Sequence, residues 1–364
     1  MIKVDLDSVA ETIVTQCMRV KPGEVIWVAG GLFCFEFMED LAVAISRQNA
    51  HFVLTPYTDR LSKRLLLEPD IDFLEHPPRS SMELARFVDG QIFLDRTEDP
   101  RIFQSIPEER IGAQRKSRIP VNNILLERKV RWTGMGFPTP EKAEMYGVTY
   151  EEFHDMFWKA VTTDYQDLYT RGKAVADILK HGHTVNIATE KTDLQFQVTG
   201  RPVFIDDGII SEEDMSMGDI GNNLPAGEVF CAPIESSAQG RAYFDVAFYK
   251  GEKIRGIDCV FKDGKVVSVA CEKNEDLFKD VLSHSHGQKD VIGELGIGLN
   301  PEVTQPTGYV ITDEKIIGTI HIALGENREF GGKNESSLHW DLVMMHPTVK
   351  VDGTIIMEDG DLVQ

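Results

Sequence analysis

The chain reads as an α/β protein, with an N-terminal α/β domain built on a mostly parallel sheet and a β-rich α+β C-terminal domain. Three observations predict this. Helix-period and strand-period segments alternate over the first ~100 residues, and a helical stretch follows. After His181-Gly182 the pattern changes to short alternating strands separated by turn signals. The length of 364 residues exceeds that of a usual single domain, so two domains are expected, at 1–180 and 181–364.

Val9, Ile13, Cys17 and Val20 form a helical stripe that stops at the turn Lys21-Pro22-Gly23. Val25 to Ala29 then reads as a buried strand, broken by Gly30-Gly31. Phe37, Leu41, Ala44 and Ile45 share a helix face, Phe52-Val53-Leu54 is strand-like, and Leu61 to Leu67 is helical again. Phe87-Val88 and Ile92-Phe93-Leu94 complete the alternation as strand segments. Strands separated by helices imply right-handed crossovers and parallel neighbours. Gly30-Gly31 stands where a dinucleotide-binding loop would stand, but G-x-G-x-x-G is absent, and an ordinary strand-to-helix turn is expected.

Helices are expected over Pro140 to Tyr146, Tyr150 to Thr162 and Tyr165 to Lys180. Strands are expected over Thr184 to Thr189, Leu194 to Val198, Ala242 to Phe248, Ile254 to Phe261 and Val266 to Ala270. Lys262-Asp263-Gly264 joins the last two as a hairpin turn. A helix over Glu275 to Ser283 interrupts the strands, which resume at Thr319 to Leu324, Leu338 to Met344 and Thr354 to Met357.

Acidic residues outnumber basic ones 59 to 38, for a formal charge of -21. Such a surface repels phosphate backbones and anionic lipid, which argues against nucleic-acid and membrane partners. The five cysteines are scattered and include no C-x-x-C, which suits a reducing compartment. Acidic residues interrupt the start Met1-Ile2-Lys3-Val4-Asp5-Leu6-Asp7, and the apolar stretch from Val25 to Phe35 is too short to span a bilayer. A cytoplasmic location is expected.

The segment Leu338-His339-Trp340-Asp341-Leu342 carries the most chemistry. On a strand, His339 and Asp341 point to one face while Leu338, Trp340 and Leu342 point to the other. An imidazole and a carboxylate on an apolar strand are costly to bury unpaired, and both a divalent metal and a mutual hydrogen bond relieve that cost. In Gly318-Thr319-Ile320-His321-Ile322-Ala323-Leu324, His321 stands between small Thr319 and Ala323, which leaves space beside the ring for an ion or substrate. Two glutamates occupy comparable positions. Glu228 opens the apolar run Val229-Phe230-Cys231, and Glu294 lies among glycines and aliphatics. Carboxylates so placed serve as ligands, general bases or strand-edge charges. His284-Ser285-His286 reads as a solvated helix end, and Glu212-Glu213-Asp214 as a solvated acidic loop.

The blocks N-L-P-A-G-E-V-F (223–230), G-E-L-G-I-G-L-N-P (293–301), T-I-H-I-A-L-G (319–325) and H-W-D (339–341) resemble the thermophilic aminopeptidases, the M29 class of metallopeptidases also called aminopeptidase T or S. The resemblance makes the C-terminal domain a metal-binding one, in which Glu228, Glu294, His321, His339 and Asp341 hold two divalent ions (Zn, Co, Mn or Mg). It implies removal of N-terminal residues from short peptides by metal-activated water, with Glu294 also handling protons, in a homodimer. The family places a tyrosine seven residues after the histidine matching His321, where this chain has Arg328. A permanently cationic guanidinium there is able to stabilise an oxyanion, to meet a substrate carboxylate, or simply to lie solvated in its loop. The alternative on the same scaffold is a mononuclear Fe(II) ring-cleaving dioxygenase using His321, His339 and Asp341. Those enzymes carry histidine at the position of Glu294 and do not retain His321, which favours hydrolysis.

Overall fold

The computed structural model describes residues 1–363, which divide into two compact units. The first comprises Met1–Thr162 with Gly208–Pro225, and the second comprises Thr163–Asp207 with the chain from Ala226 onward. In chain order, the first unit contributes β1 (Val25–Gly31), β2 (His51–Tyr57), β3 (Gly90–Leu94) and β4 (Arg131–Met135). The second follows with β5 (Thr184–Ala188), β6 (Asp193–Gln197) and β7 (Val203–Asp206). The chain returns to the first unit for β8 (Gly221–Leu224), and β9 (Glu228–Cys231) resumes the second. Then come β10 (Gln239–Tyr249), β11 (Glu252–Lys262), β12 (Lys265–Lys273), β13 (Ile292–Gly298), β14 (Thr319–Gly325) and β15 (His339–Met345). The last strands are β16 (Thr348–Val351), β17 (Thr354–Glu358) and β18 (Asp361–Leu362).

The first unit's sheet has the order β2-β1-β3-β4-β8, and every pairing in it is parallel. β1 is an interior strand between β2 and β3, and it is buried because Ile26, Trp27 and Val28 leave no polar face. The stripe of Phe37, Leu41, Ala44 and Ile45 lies on the helix Phe35–Arg47 and is buried along its length. Helix starts follow the expected caps. Thr58 Oγ1 accepts from Leu61 N–H at 3.1 Å, and Thr139 caps a helix that begins with Pro140.

Two local expectations differ. Phe87 closes the helix Arg79–Phe87 instead of opening a strand, because Ala85 and Val88 are buried at helical spacing. Glu212-Glu213-Asp214 is helical. Ser211 caps Glu212–Met217, and Asp214 returns a bond to the Ser211 N–H at 2.8 Å in a capping box.

In the second unit, thirteen strands join into one antiparallel sheet among the described residues. Its main path is β18-β17-β16-β5-β6-β10-β15-β14-β13-β9-β7, and β11 and β12 extend from β10. The hairpin between β11 and β12 turns at Asp263 (φ 50) and Gly264 (φ 81), both left-handed as a tight two-residue turn requires. β13 and β14 are buried along their whole length. No helix among the described residues is long and apolar enough to cross a membrane.

Candidate metal centre

Register places the functional side chains on one face of the second unit's sheet. Asp206 of β7 pairs with Glu228 of β9, which pairs with Gly298 of β13. One step along, Phe204 pairs with Phe230, Phe230 with Gly296, and Gly296 with His321 of β14. Glu294 pairs with Ala323, Ala323 with Asp341 of β15, and Gly325 with His339. Directly opposed residues in a ladder point to the same side. Glu228, Glu294, His321, His339 and Asp341 therefore share one surface, in which Gly296, Gly298 and Ala323 leave the space.

The side chains converge. His339 Nε2 lies 3.1 Å from Glu294 Oε2 and 3.5 Å from Asp341 Oδ1. His321 Nε2 lies 3.5 Å from Glu294 Oε1 and 3.7 Å from Glu228 Oε2. Glu294 thus stands between the two imidazoles. One donor atom from each of Glu294, His339 and Asp341 falls within 4.8 Å of the others. The ring of His339 is fixed from behind, since its Nδ1–H donates to the Glu326 carbonyl at 2.8 Å and leaves Nε2 for the centre.

Glu228 and Glu294 are buried, as is His321, while the His339 side chain is 34% exposed and opens the cluster to solvent. Burial pushes the Glu228 carboxyl up to about 8 against the pull of Lys315. The opposite result holds at Glu294, where burial is outweighed by hydrogen bonds from His321 and His339 that keep the carboxyl ionised. Asp341 is likewise held well below the carboxylate range, its burial overcome by the charge of His339. His321 rises to about 9: burial acts downward, but the hydrogen bond with Glu294 and the charges of Asp341 and Glu228 prevail. Glu228 Oε2, His321 Nδ1 and Asp341 Oδ1 are buried without a hydrogen-bond partner. Buried carboxylates crowded around imidazole nitrogens, with such atoms unsatisfied, fit a divalent cation of nitrogen and oxygen preference.

Arg328 lies apart from these donors. Its side chain is 53% exposed and forks onto Glu326, with Nε to Oε1 at 2.6 Å and Nη2 to Oε2 at 3.0 Å, and it reaches Glu335 at 3.3 Å. His284 ends the helix Glu275–His284 with its Nδ1 2.9 Å from the Asp280 carbonyl. Two residues escape sequence reasoning. Lys315 is fully buried with its ammonium on Glu228, and Glu314 neighbours both Lys315 and Asp341. In the sequence, Asp313-Glu314-Lys315 is an unremarkable charged turn, and the only available signal was its place just before β14.

An aromatic row borders the cluster. Phe204 stacks on Phe230 at 5.3 Å, Phe230 meets Phe330 edge-on at 5.8 Å, and Phe330 meets the His339 ring edge-on at 5.7 Å.

Known proteins share this architecture and sequence over the whole length. The solved structure of wild-type AmpT from Thermus thermophilus superposes with a TM-score of 0.78 at 24% identity, covering 99% of both chains. A 2,5-dihydroxypyridine dioxygenase from Pseudomonas putida KT2440 shares the fold at a TM-score of 0.67 and 15% identity, covering 99% of this chain and 98% of that one. Aminopeptidase PepS of Streptococcus thermophilus is 22% identical over 99% of this chain and 96% of its own length. The family described as thermophilic metalloprotease (M29) matches residues 2–363, and the chain belongs to that family.

Proposed function

We propose that the protein is a metal-dependent aminopeptidase that removes N-terminal residues from short peptides. The observation that carries this reading is the convergence of Glu228, Glu294, His321, His339 and Asp341 from four strands onto one sheet face. Glu294, His339 and Asp341 would hold a divalent ion, and His321 and Glu228 lie on the far side of Glu294 from His339. A divalent ion bound there supplies Lewis acidity, which lowers the pKa of water and polarises a scissile carbonyl.

The chain's own residues do the rest. Glu294, buried between the two imidazoles, accepts a proton at a carboxylate oxygen and returns it to the leaving amine. The Glu326 carbonyl fixes the tautomer and aim of His339. Arg328 acts through Glu326, holding that loop by a bidentate pair. Phe330, with Phe230 and Phe204 behind it, forms an apolar wall beside the centre, suited to an apolar N-terminal side chain. The chain's net charge of -21 favours a substrate that arrives with a free ammonium.

The test is hydrolysis of aminoacyl anilides and short peptides by chelator-stripped protein, with Co(II), Zn(II), Mn(II) or Mg(II) added back. Activity is expected to return with metal, and Glu294→Gln is expected to lower kcat by roughly 10²–10⁴-fold. Cleavage that survives both chelation and this substitution overturns the reading. A single tightly held iron with oxygen consumption points instead to the oxygenase chemistry of the more distant fold neighbour.

A further inference from the structure

Lys315 lies in the short link between the helix Val310–Asp313 and β14. Its side chain has no solvent exposure. The ammonium lies 2.5 Å from Glu228 Oε1, 3.1 Å from Glu314 Oε2 and 3.5 Å from Asp206 Oδ2. An ammonium has three donors and no acceptor, and here each donor faces one carboxylate. Burying a lysine is expensive without such partners, so its position is set by the carboxylates around it.

The consequence for the centre is geometric. The donors divide into two sides that meet at Glu294. On one side, Glu294, His339 and Asp341 face each other with no cation of the chain between them except the imidazole itself. On the other side, a second ion would have to share Glu228 with His321, and Glu228 already carries the ammonium of Lys315. A divalent ion on that carboxylate would sit beside a buried positive charge, which weakens its binding by about 100-fold or more.

We infer that Lys315 is an internal cation that takes the place of a second divalent ion at Glu228, so that the centre holds one ion tightly, at Glu294, His339 and Asp341. This inference rests on the metal reading proposed above and specifies its stoichiometry. It also assigns a role to Glu314 and Asp206, which complete the cradle for the ammonium and are not themselves ion ligands.

The test is metal counting on the full chain. Chelator-stripped protein is titrated with Zn(II) by calorimetry, and retained zinc is measured after desalting. The wild type is expected to retain one ion per chain, with any second event at least about 100-fold weaker. Lys315→Met is expected to retain two, and Lys315→Arg, which keeps the charge, to stay at one. The double variant Lys315→Met/Glu228→Gln removes both the cation and its carboxylate and is expected to return to one. Should Lys315→Met fail to fold, Lys315→Gln, which still donates to Glu228, is expected to give the same count of two. Two ions of similar affinity in the wild type, or a single ion in the neutral variants, overturns the inference and leaves the metal reading standing. No retained ion in the wild type overturns the metal reading itself, and this inference with it.

Discussion

Gly296 stands directly opposite His321 in the β13–β14 ladder, and a Cβ built on Gly296 would lie 2.0 Å from the imidazole. The missing side chain on one strand is therefore what lets the histidine on the next lie flat across the sheet face. Gly296→Ala is expected to displace the ring, because the contact is with a stiff aromatic group in a fully buried strand. The cost in stability should be about 1–3 kcal/mol, as for other overpacked cores. Urea unfolding measures that cost, and zinc titration should show weakened binding, because the displaced ring crowds Glu294, which lies 3.5 Å from His321 Nε2. A variant with unchanged stability and unchanged metal affinity would show that His321 has another place to go.

The aromatic row leads to a prediction about substrate choice. Phe330 touches both Phe230 and His339, so it links the apolar wall to the metal cluster. Phe330→Ala removes the part of that wall nearest the reacting bond. For peptides beginning with Leu or Phe, kcat/KM should fall about tenfold, in line with losing one buried apolar contact of 1–3 kcal/mol. For peptides beginning with Ala or Gly it should change little. An equal loss for all four would assign Phe330 to holding His339 and not to selecting the side chain.

Much of this centre was legible in the sequence, for reasons that particular residues make plain. His339 and Asp341 alternate with Leu338, Trp340 and Leu342, and that strict alternation alone places the polar pair on one face. Glu294 stood out only as a carboxylate among glycines and aliphatics, and its place in the ligand set came from the family resemblance. The cradle around Lys315 was not legible, because a short charged turn is normally solvated, and only tertiary contacts with β7 and β9 bury it. In the first unit, the helix Glu108–Glu127 escaped notice because its apolar residues follow no single stripe and Pro120, a residue that normally ends a helix, stands inside it. β8 was equally hidden, since it joins the parallel sheet only after the chain has formed three strands of the other unit.

The cysteines should report the fold by their reactivity. Cys17, Cys34, Cys231 and Cys259 are buried, whereas Cys271 on β12 is partly exposed. Burial pushes the Cys34 and Cys231 thiols up to about 12, and the Cys271 thiol, which also faces Glu275, to about 11. Only the thiolate attacks a disulfide reagent, so the native protein should release one equivalent slowly at pH 8. That rate should rise about tenfold per pH unit up to pH 10, because the thiolate fraction does so below the pKa. The other four thiols should react only in denaturant. Two or more fast thiols in the native protein would contradict this arrangement.

A last prediction concerns acid stability and involves Glu235, outside the proposed ligand set. Its carboxylate accepts from the Lys333 backbone N–H at 2.6 Å, from Asn327 Nδ2 at 3.3 Å and from the Arg201 guanidinium. Burial raises the carboxyl's pKa, but these donors and the Arg201 charge outweigh it, and the folded value lies below that of an ordinary glutamate. As pH falls, the unfolded chain therefore binds a proton at this residue before the folded chain does. The resulting stability is present above about pH 4.5, the ordinary glutamate range, and is lost as pH drops through the lowered folded value. Glu235→Gln also leaves Arg201, whose side chain is only 7% exposed, without its counter-charge. The variant should lose about 2 kcal/mol at pH 7, a figure kept at the low end because Glu235 is itself partly exposed. Below that lowered folded value, where the wild type loses its own ionised carboxylate, the two proteins should converge. Denaturant unfolding of both proteins in a series from pH 7 down to the acid limit of the fold measures the difference, and a gap that never narrows as pH falls would show that packing, and not the ion pair, sets the contribution of Glu235.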